Sequence, residues 1–470
     1  NSALASSLFI VPRHVLGGTG YTPPSDRLNI AGIGLHGKGN SDILHASVGG
    51  RENVVALCDV HQNAYGAQVA AEKFPKAKFY TDFREMLEKE SLDGVTISTP
   101  DHTHANISKV AMEKGIHVYV QKPLTHNVKE ARMLGSDLLD APVENIITGE
   151  QSSLLLSYQF LLSHYLFGKN IAWKDLDKPK FICPVPGFDR HFRMFEDLGL
   201  EMISVPLSEQ GVDIKSLRKV LNQEKNIVGM ICVPRHSNPS GEVYSDQNIS
   251  DIFEATTDYS DDFIVLFDNA YLVHDFLPTS KQSSIWELAD KSNALHQAVC
   301  VTSFSKVTFG GGGLSFLAAA EKNLELIKRI RTSMVICPDK INQQKHIEFF
   351  KDKDAIIEHM KKHADLVRPK FETAYSILES IPSDYGTYSK PTGGYFITYV
   401  TKKPIATRVV ELCKDAGVLI TPAGATFPYG KDPLNNTIRI APTFVNEADL
   451  KLAMDIFISA VQIAHSDYSI

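Results

Sequence analysis

Lys306 closes the run VTSFSK, and four glycines, Gly310 to Gly313, follow shortly after it. Lysine is among the side chains least often buried, so an amine at the end of an apolar run needs a reason to be there. A phosphate-binding Walker loop places its glycines before the lysine and a Ser or Thr directly after it. Here the glycines come later and Val307 is next, which excludes that motif. Three other apolar runs end on groups that could act together with an amine. KFICPVPG leads to Phe188 and His191, GMICVPRHSNPSG presents Asn238, and FIVLFDNAY ends in Asp268 and Tyr271. Upstream, the short run NIITG meets EQSS and then an apolar helix, which sets Ser152 and Ser153 at a helix start where backbone amides favour an anion.

An aromatic face, an amide, a carboxylate and an amine at four strand ends are the groups that pyridoxal phosphate requires. Its aldehyde condenses with a lysine amine, and its protonated ring then serves as an electron sink. Lys306 fits the amine, which once freed acts as the base that moves the substrate proton. Asp268 fits the carboxylate that keeps the ring nitrogen protonated, with His191 behind it. Asn238 and Tyr271 would hydrogen-bond the ring hydroxyl, and Phe188 would stack on the ring. Ser303 and the glycine amides after Lys306 would join Ser152 and Ser153 around the phosphate.

Through SNPSG, DNAY, SFSK and NNTIRIAPTF, the chain from about Ala131 to its end resembles the fold-type I pyridoxal-phosphate aminotransferases, in the branch that includes aspartate aminotransferases. The resemblance implies that Arg439 grips a substrate α-carboxylate through two parallel bonds. It implies an amino acid, aspartate-like by family, and a 2-oxo acid as substrates, and a homodimer with sites shared across a two-fold axis. KPTGGYFITY looks like the first strand of the family's small domain. Two departures stand out. The family's N-terminal arm and the first part of its small domain are replaced by another region, and the arginine usual after the lysine is missing.

That other region carries its own signature. LNIAGIGLHGKG is a short apolar strand running into Gly32, Gly34 and Gly37 at the G-x-G-x-x-G spacing. ENVVALCDV is a second strand, ending in Asp59, where an acidic side chain can bind ribose hydroxyls. Helix and strand then alternate, which predicts a parallel doubly wound sheet whose strand ends place Thr99, Pro100, His102, His104, Lys122 and Pro123 near a dinucleotide. With STPDHTH and VQKPLTH, residues 28–134 resemble the N-terminal Rossmann domain of Gfo/Idh/MocA oxidoreductases. The resemblance implies NAD(P) bound by Gly32, Gly34, Gly37 and Asp59, with Lys122 beside the nicotinamide. In the family's E-K-P motif the position before that lysine is Glu, and here it is Gln121. The helix read over NVKEARMLGSDLLD falls where both families have one.

The fold class expected is therefore α/β. A signal-like or disordered segment, 1–27, precedes a Rossmann domain, 28–134, a large cofactor domain, 135–365, and a small C-terminal α/β domain, 366–470. A net charge of -7 without a basic stripe argues against nucleic acid. Six widely spaced cysteines fit reduced core thiols rather than disulfides or a zinc site, so no metal is expected and a cytoplasmic setting is the default. The N-terminal run NSALASSLFIVPRHVLGG supports export as the alternative. No apolar run reaches the length of a membrane span. An aminotransferase is the leading reading. The alternatives are an NAD-dependent oxidoreductase confined to the first region, and an inactive fusion of two truncated modules.

Overall fold

The computed structural model describes residues 22–23, 26–63, 65–100, 103–121, 129–336 and 338–468. The chain forms two compact units that divide between Val128 and Lys129.

The first unit is built on β1 (Asn29–Ile33), β2 (Asn53–Cys58), β3 (Lys78–Tyr80), β4 (Gly94–Ile97) and β5 (His117–Val120). All are parallel, in the order β3-β2-β1-β4-β5. The order reverses between β1 and β4, which opens a crevice at the carboxyl ends of those strands. Successive residues of β1 face opposite sides, and both sides are covered. Ile30 packs with Leu35, Ile43 and Leu57, whereas Ala31 and Ile33 pack with Met86, Val95 and Ile107. Burial on both faces explains why these strands read as unbroken apolar runs.

The second unit holds an eight-stranded sheet in the order β6-β13-β12-β11-β10-β7-β8-β9. Its strands are β6 (Ile146–Thr148), β7 (Lys180–Val185), β8 (Glu201–Ser208), β9 (Gly211–Val212), β10 (Ile227–Cys232), β11 (Ile264–Asp268), β12 (Ala298–Ser303) and β13 (Ser315–Ala319). β7, β8, β10, β11 and β12 run parallel, while β13 is antiparallel to both β12 and β6. Every residue of β10, β11 and β12 is buried. Because these central strands are parallel, their C-terminal ends open on one edge, where loops rather than sheet present side chains. Several helices between the strands start on side-chain caps, as where Ser245 accepts from Asn248 N at 3.1 Å.

A three-stranded antiparallel sheet follows, β14 (Gly386–Tyr388), β15 (Ile397–Thr401) and β16 (Thr437–Ile440). Helices Lys353–Leu378, Ala406–Asp415 and Glu447–Asp467 back it, around Phe371, Tyr399 and Phe457. KPTGGYFITY was expected to form the first strand here, but its strand, β15, is second. β14 precedes it as a three-residue edge strand, too short for an alternating pattern to show. The segment before β15 is tied to the large sheet's loops by a bridge between Asp275 and Gly393 and by Phe276 N donating to the Thr392 carbonyl at 3.0 Å. Among the described residues no helix is long and apolar enough to cross a membrane, and no cluster of His, Cys, Asp and Glu is placed to hold a metal ion.

Candidate functional site

Asp268, the last residue of β11, is almost wholly buried. A buried carboxylate needs partners, and His191 supplies one. The first turn of helix Asp189–Asp197 brings His191 Nε2 to 3.0 Å from Asp268 Oδ2, so the imidazole N–H donates to the carboxylate. The Phe188 ring precedes that helix and meets His191 edge-on, with centroids 5.1 Å apart. The other oxygen, Asp268 Oδ1, is buried without a hydrogen-bond partner among the described residues. Leaving such a group unmade costs about 1–3 kcal/mol, so an unfilled carboxylate oxygen at a strand end marks a place for a ligand donor.

Lys306 ends a short 3-10 turn directly after β12, and its Nζ lies 5.0 Å from the centre of the buried Tyr271 ring. Burial lowers the amine's pKa, while the Asp268 charge works the other way. Burial likewise raises the pKa of the Tyr271 hydroxyl, with Asp268 adding to it and a hydrogen bond to Asn238 opposing it. Asn238 also accepts from Arg439 Nη1 at 3.2 Å. Arg439, on β16, donates its Nε to Thr421 Oγ1 at 3.1 Å and lies over the Phe396 ring. The four strand ends and the small sheet thus converge on one site.

Ser152 caps helix Ser153–Leu166, its hydroxyl accepting from Leu155 N at 3.3 Å, and Ser153 is buried in the first turn. Ser303 donates to Ser305 Oγ at 3.2 Å, and Ser305 donates to the Gln151 carbonyl. Gly313 closes this cradle, since a Cβ there would lie 2.6 Å from Ser305 N and 2.7 Å from the Gln151 carbonyl oxygen. Hydroxyls and a 14-residue helix N-terminus therefore gather beside Lys306.

Several site residues were not singled out from sequence. Tyr395 donates to the Lys306 carbonyl at 3.1 Å and meets His363 Nε2 at 3.0 Å. His274 Nε2 lies 3.4 Å from the same carbonyl, and its pKa is pushed down to about 3, mainly by burial. Asp189 approaches Arg439 Nη1 at 3.4 Å. Of these, only Asp189 offered a signal, as the immediate neighbour of Phe188; Ser305, beside Lys306, offered the same kind.

In the first unit, Gly34, Asp59, Ser98, Thr99 and Pro100 line a cavity of about 570 Å³ at the strand ends. Gly34 has φ +80°, and a Cβ there would lie 2.7 Å from the Ser98 and Thr99 backbone. Gly32 lets the strand approach Ile43, which a Cβ would meet at 3.1 Å, and Gly37 precedes helix Lys38–Ala46. Asp59 accepts from Leu35 N at 2.8 Å and His61 N at 3.1 Å. His104 is buried, with Nε2 2.6 Å from the Thr99 carbonyl. Lys122, Pro123 and His102 lie outside the described residues. Sequence gave no hint of buried Asp42, which takes Lys38 Nζ at 2.9 Å, Ser98 Oγ at 2.8 Å and Gln121 Nε2 at 2.7 Å. Burial pushes its pKa up, but these bonds outweigh that and hold it below the usual range.

Comparison with known proteins matches each unit separately. Residues 27–138 match the model of an oxidoreductase family with an NAD-binding Rossmann fold, and residues 125–470 match that of aspartate amino-transferase. A Mycolicibacterium smegmatis protein named as an aminotransferase is 37% identical over 332 residues, 69% of this chain and 77% of that protein. The aspartate aminotransferase of Corynebacterium glutamicum is 34% identical over 347 residues, 73% of this chain and 80% of the relative. A crystal structure of an aspartate transaminase from the same species superposes with a TM-score of 0.70 at 30% identity, covering 82% of this chain and 94% of that one. Since the second of the two family models takes in well over half of the 470 residues, the chain belongs to the aspartate aminotransferase family.

Proposed function

We propose that the second unit is a pyridoxal-phosphate-dependent aminotransferase that moves an amino group between an amino acid and a 2-oxo acid. The observation that carries this reading is the Asp268 carboxylate, held by His191 on one oxygen and buried without a partner among the described residues on the other, with its charge acting on the amine of a buried lysine. When bound, the cofactor supplies an aldehyde for amine capture and a ring that accepts the electron pair left by proton loss. Asp268 would hold a proton on a ring nitrogen through Oδ1, with His191 fixing the carboxylate's orientation. Tyr271 and Asn238 would bond the ring hydroxyl, and Phe188 would cover a ring face. Ser152, Ser153 and Ser303 would take the phosphate at the helix N-terminus, where the amide dipoles favour an anion. Burial favours the neutral form of Lys306, and a neutral amine can both attack a carbonyl and accept a proton. Arg439 would hold the substrate carboxylate. An aspartate-like donor is the finer proposal, supported by the aspartate aminotransferase among the relatives.

For the first unit we propose NAD(P) binding, supported by the Gly34 approach to the strand-end backbone and by Asp59 at the cavity rim.

Adding pyridoxal phosphate to the purified protein should produce a visible absorbance band. Borohydride should then fix the cofactor to the peptide containing Lys306, and aspartate should donate its amino group to 2-oxoglutarate. Lys306→Ala should lose both the fixation and the transfer. Fixation at another lysine, or unchanged transfer by Lys306→Ala, would refute the assignment.

A further inference from the structure

Arg439 is already partly spoken for in this structure. A carboxylate that grips a guanidinium through two parallel bonds needs two neighbouring N–H groups on one edge. Nε is given to Thr421 Oγ1 at 3.1 Å, which leaves the edge formed by Nη1 and Nη2. Nη1 faces Asn238 Oδ1 at 3.2 Å and Asp189 Oδ1 at 3.4 Å, whereas Nη2 has no hydrogen-bond partner among the described residues. Asp189 is thus a carboxylate of the chain itself standing at the edge a substrate carboxylate would use.

Its contact is built to be given up. The 3.4 Å distance is long for a charged hydrogen bond, and the Asp189 side chain is one-third exposed. Its other oxygen, Oδ2, lies 3.8 Å from Nε of Arg190, a side chain mostly in water. Asp189 therefore has a second cation within a small side-chain rotation. Arg439, by contrast, is only 13% exposed and would otherwise face the site with its charge poorly paired.

Resting on the reading of Arg439 as the substrate-carboxylate seat, we infer that Asp189 holds that seat until an amino acid or 2-oxo acid arrives and then passes to Arg190. Asp189 is then a specificity-determining residue. A ligand with a carboxylate replaces the charge it displaces, while a plain amine offers nothing in exchange and leaves Asp189 on Arg439. The device keeps Arg439 oriented between turnovers and costs some affinity for every carboxylate ligand.

The test is calorimetric titration of the full-length protein with maleate, an unreactive dicarboxylate, with and without pyridoxal phosphate, after thermal melts confirm that each variant is folded. Asp189→Asn should bind maleate about two- to fivefold more tightly than the parent, the worth of a partly exposed ion pair. Asp189→Ser should do the same, which guards against an effect peculiar to the amide. Arg190→Ala should bind more weakly, and this penalty should vanish in the Asp189→Asn background. Where turnover is seen, Asp189→Asn should lower KM for aspartate with little change in kcat. Arg439→Ala separates the two ideas. If it abolishes binding while Asp189→Asn and Asp189→Ser match the parent, the inference fails and the seat stands. If it leaves binding intact, or if neither the parent nor the Asp189 variants bind maleate, both fail.

Discussion

Each unit places an aspartate at the carboxyl end of a parallel strand, and the two are used in opposite ways. Asp59 gives both oxygens to backbone amides, Leu35 N and His61 N, so its carboxylate organises the loop around the cavity. Asp268 gives one oxygen to His191 and keeps the other buried and, among the described residues, unpartnered. Around Asp268 stand a lysine whose pKa is lowered by burial and a tyrosine whose pKa is raised by it. At the Asp59 cavity, burial pushes the Cys58 thiol up to about 12. At the first site the Asp59 carboxylate is taken up by the chain's own backbone. The second stores unsatisfied polar capacity, which is what proton transfer and charge stabilisation draw on.

The strongest way to break this contrast is to remove each carboxylate in turn. Asp268→Ala should reduce amino transfer by on the order of 100- to 1000-fold, the scale seen when one preorganised electrostatic partner is lost. Asp59→Asn should leave amino transfer unchanged in the same steady-state assay. Equal losses from both would show that the two sites are not chemically independent. A smaller effect belongs to the first unit alone: Asp59→Asn should weaken NAD binding by on the order of tenfold, because a neutral amide is a poorer acceptor. Calorimetry with NAD measures it, and an unchanged dissociation constant would place the nucleotide elsewhere. Smaller again is Gln121→Glu, which sets a second carboxylate 2.7 Å from buried Asp42. It should destabilise the first unit by about 1–3 kcal/mol at neutral pH, with recovery as the pair takes up a proton on acidification. Thermal melts across pH would detect this, and a flat difference between variant and parent would rule out like-charge repulsion as the cause.

What could be read from sequence follows from how far each contact reaches along the chain. Lys306, Asp268, Tyr271, Asn238 and Phe188 were legible because each lies at the end of an apolar run or in the short loop after it, and parallel strands deliver such positions to one edge. Gly32, Gly34 and Asp59 were legible for the same reason. Asp42 was not, since it looks like an ordinary polar helix residue and its partner Gln121 is 79 positions away. The Gln in place of the family's Glu was visible, but only the fold shows the carboxylate that makes an amide the better neighbour. Asp189 stood beside Phe188 in plain view, yet its partner Arg439 is 250 positions on. Tyr395 and His363 were hidden likewise, because nothing local ties either to the Lys306 carbonyl. Fingerprint and strand-end groups are local facts, whereas positioning partners are tertiary ones.

The finest distinction concerns a third carboxyl, on the same loop as Asn238. Glu242 Oε2 is buried without a partner among the described residues, and burial pushes its pKa up to about 7 from an ordinary 4.5. Its backbone carbonyl accepts from Ser237 N at 2.9 Å, and Gly241 N donates to the Ser237 carbonyl at 2.7 Å, so the side chain belongs to the turn that presents Asn238. A carboxyl whose pKa is raised by folding binds its proton more tightly in the folded state. Its stabilising contribution is therefore complete below about 4.5 and is lost as pH rises through about 7. Glu242→Gln keeps the size and polarity of the protonated acid and removes the ionisation. The parent's second unit should lose on the order of 1 kcal/mol more than the variant's between those two pH values, after discounting for partial exposure, or a few degrees in melting temperature. The first unit's transition should shift equally in both proteins. Melting curves that fall in parallel for parent and variant would show that Glu242 ionises freely, and the turn would then reach the working pH range with its carboxyl already charged.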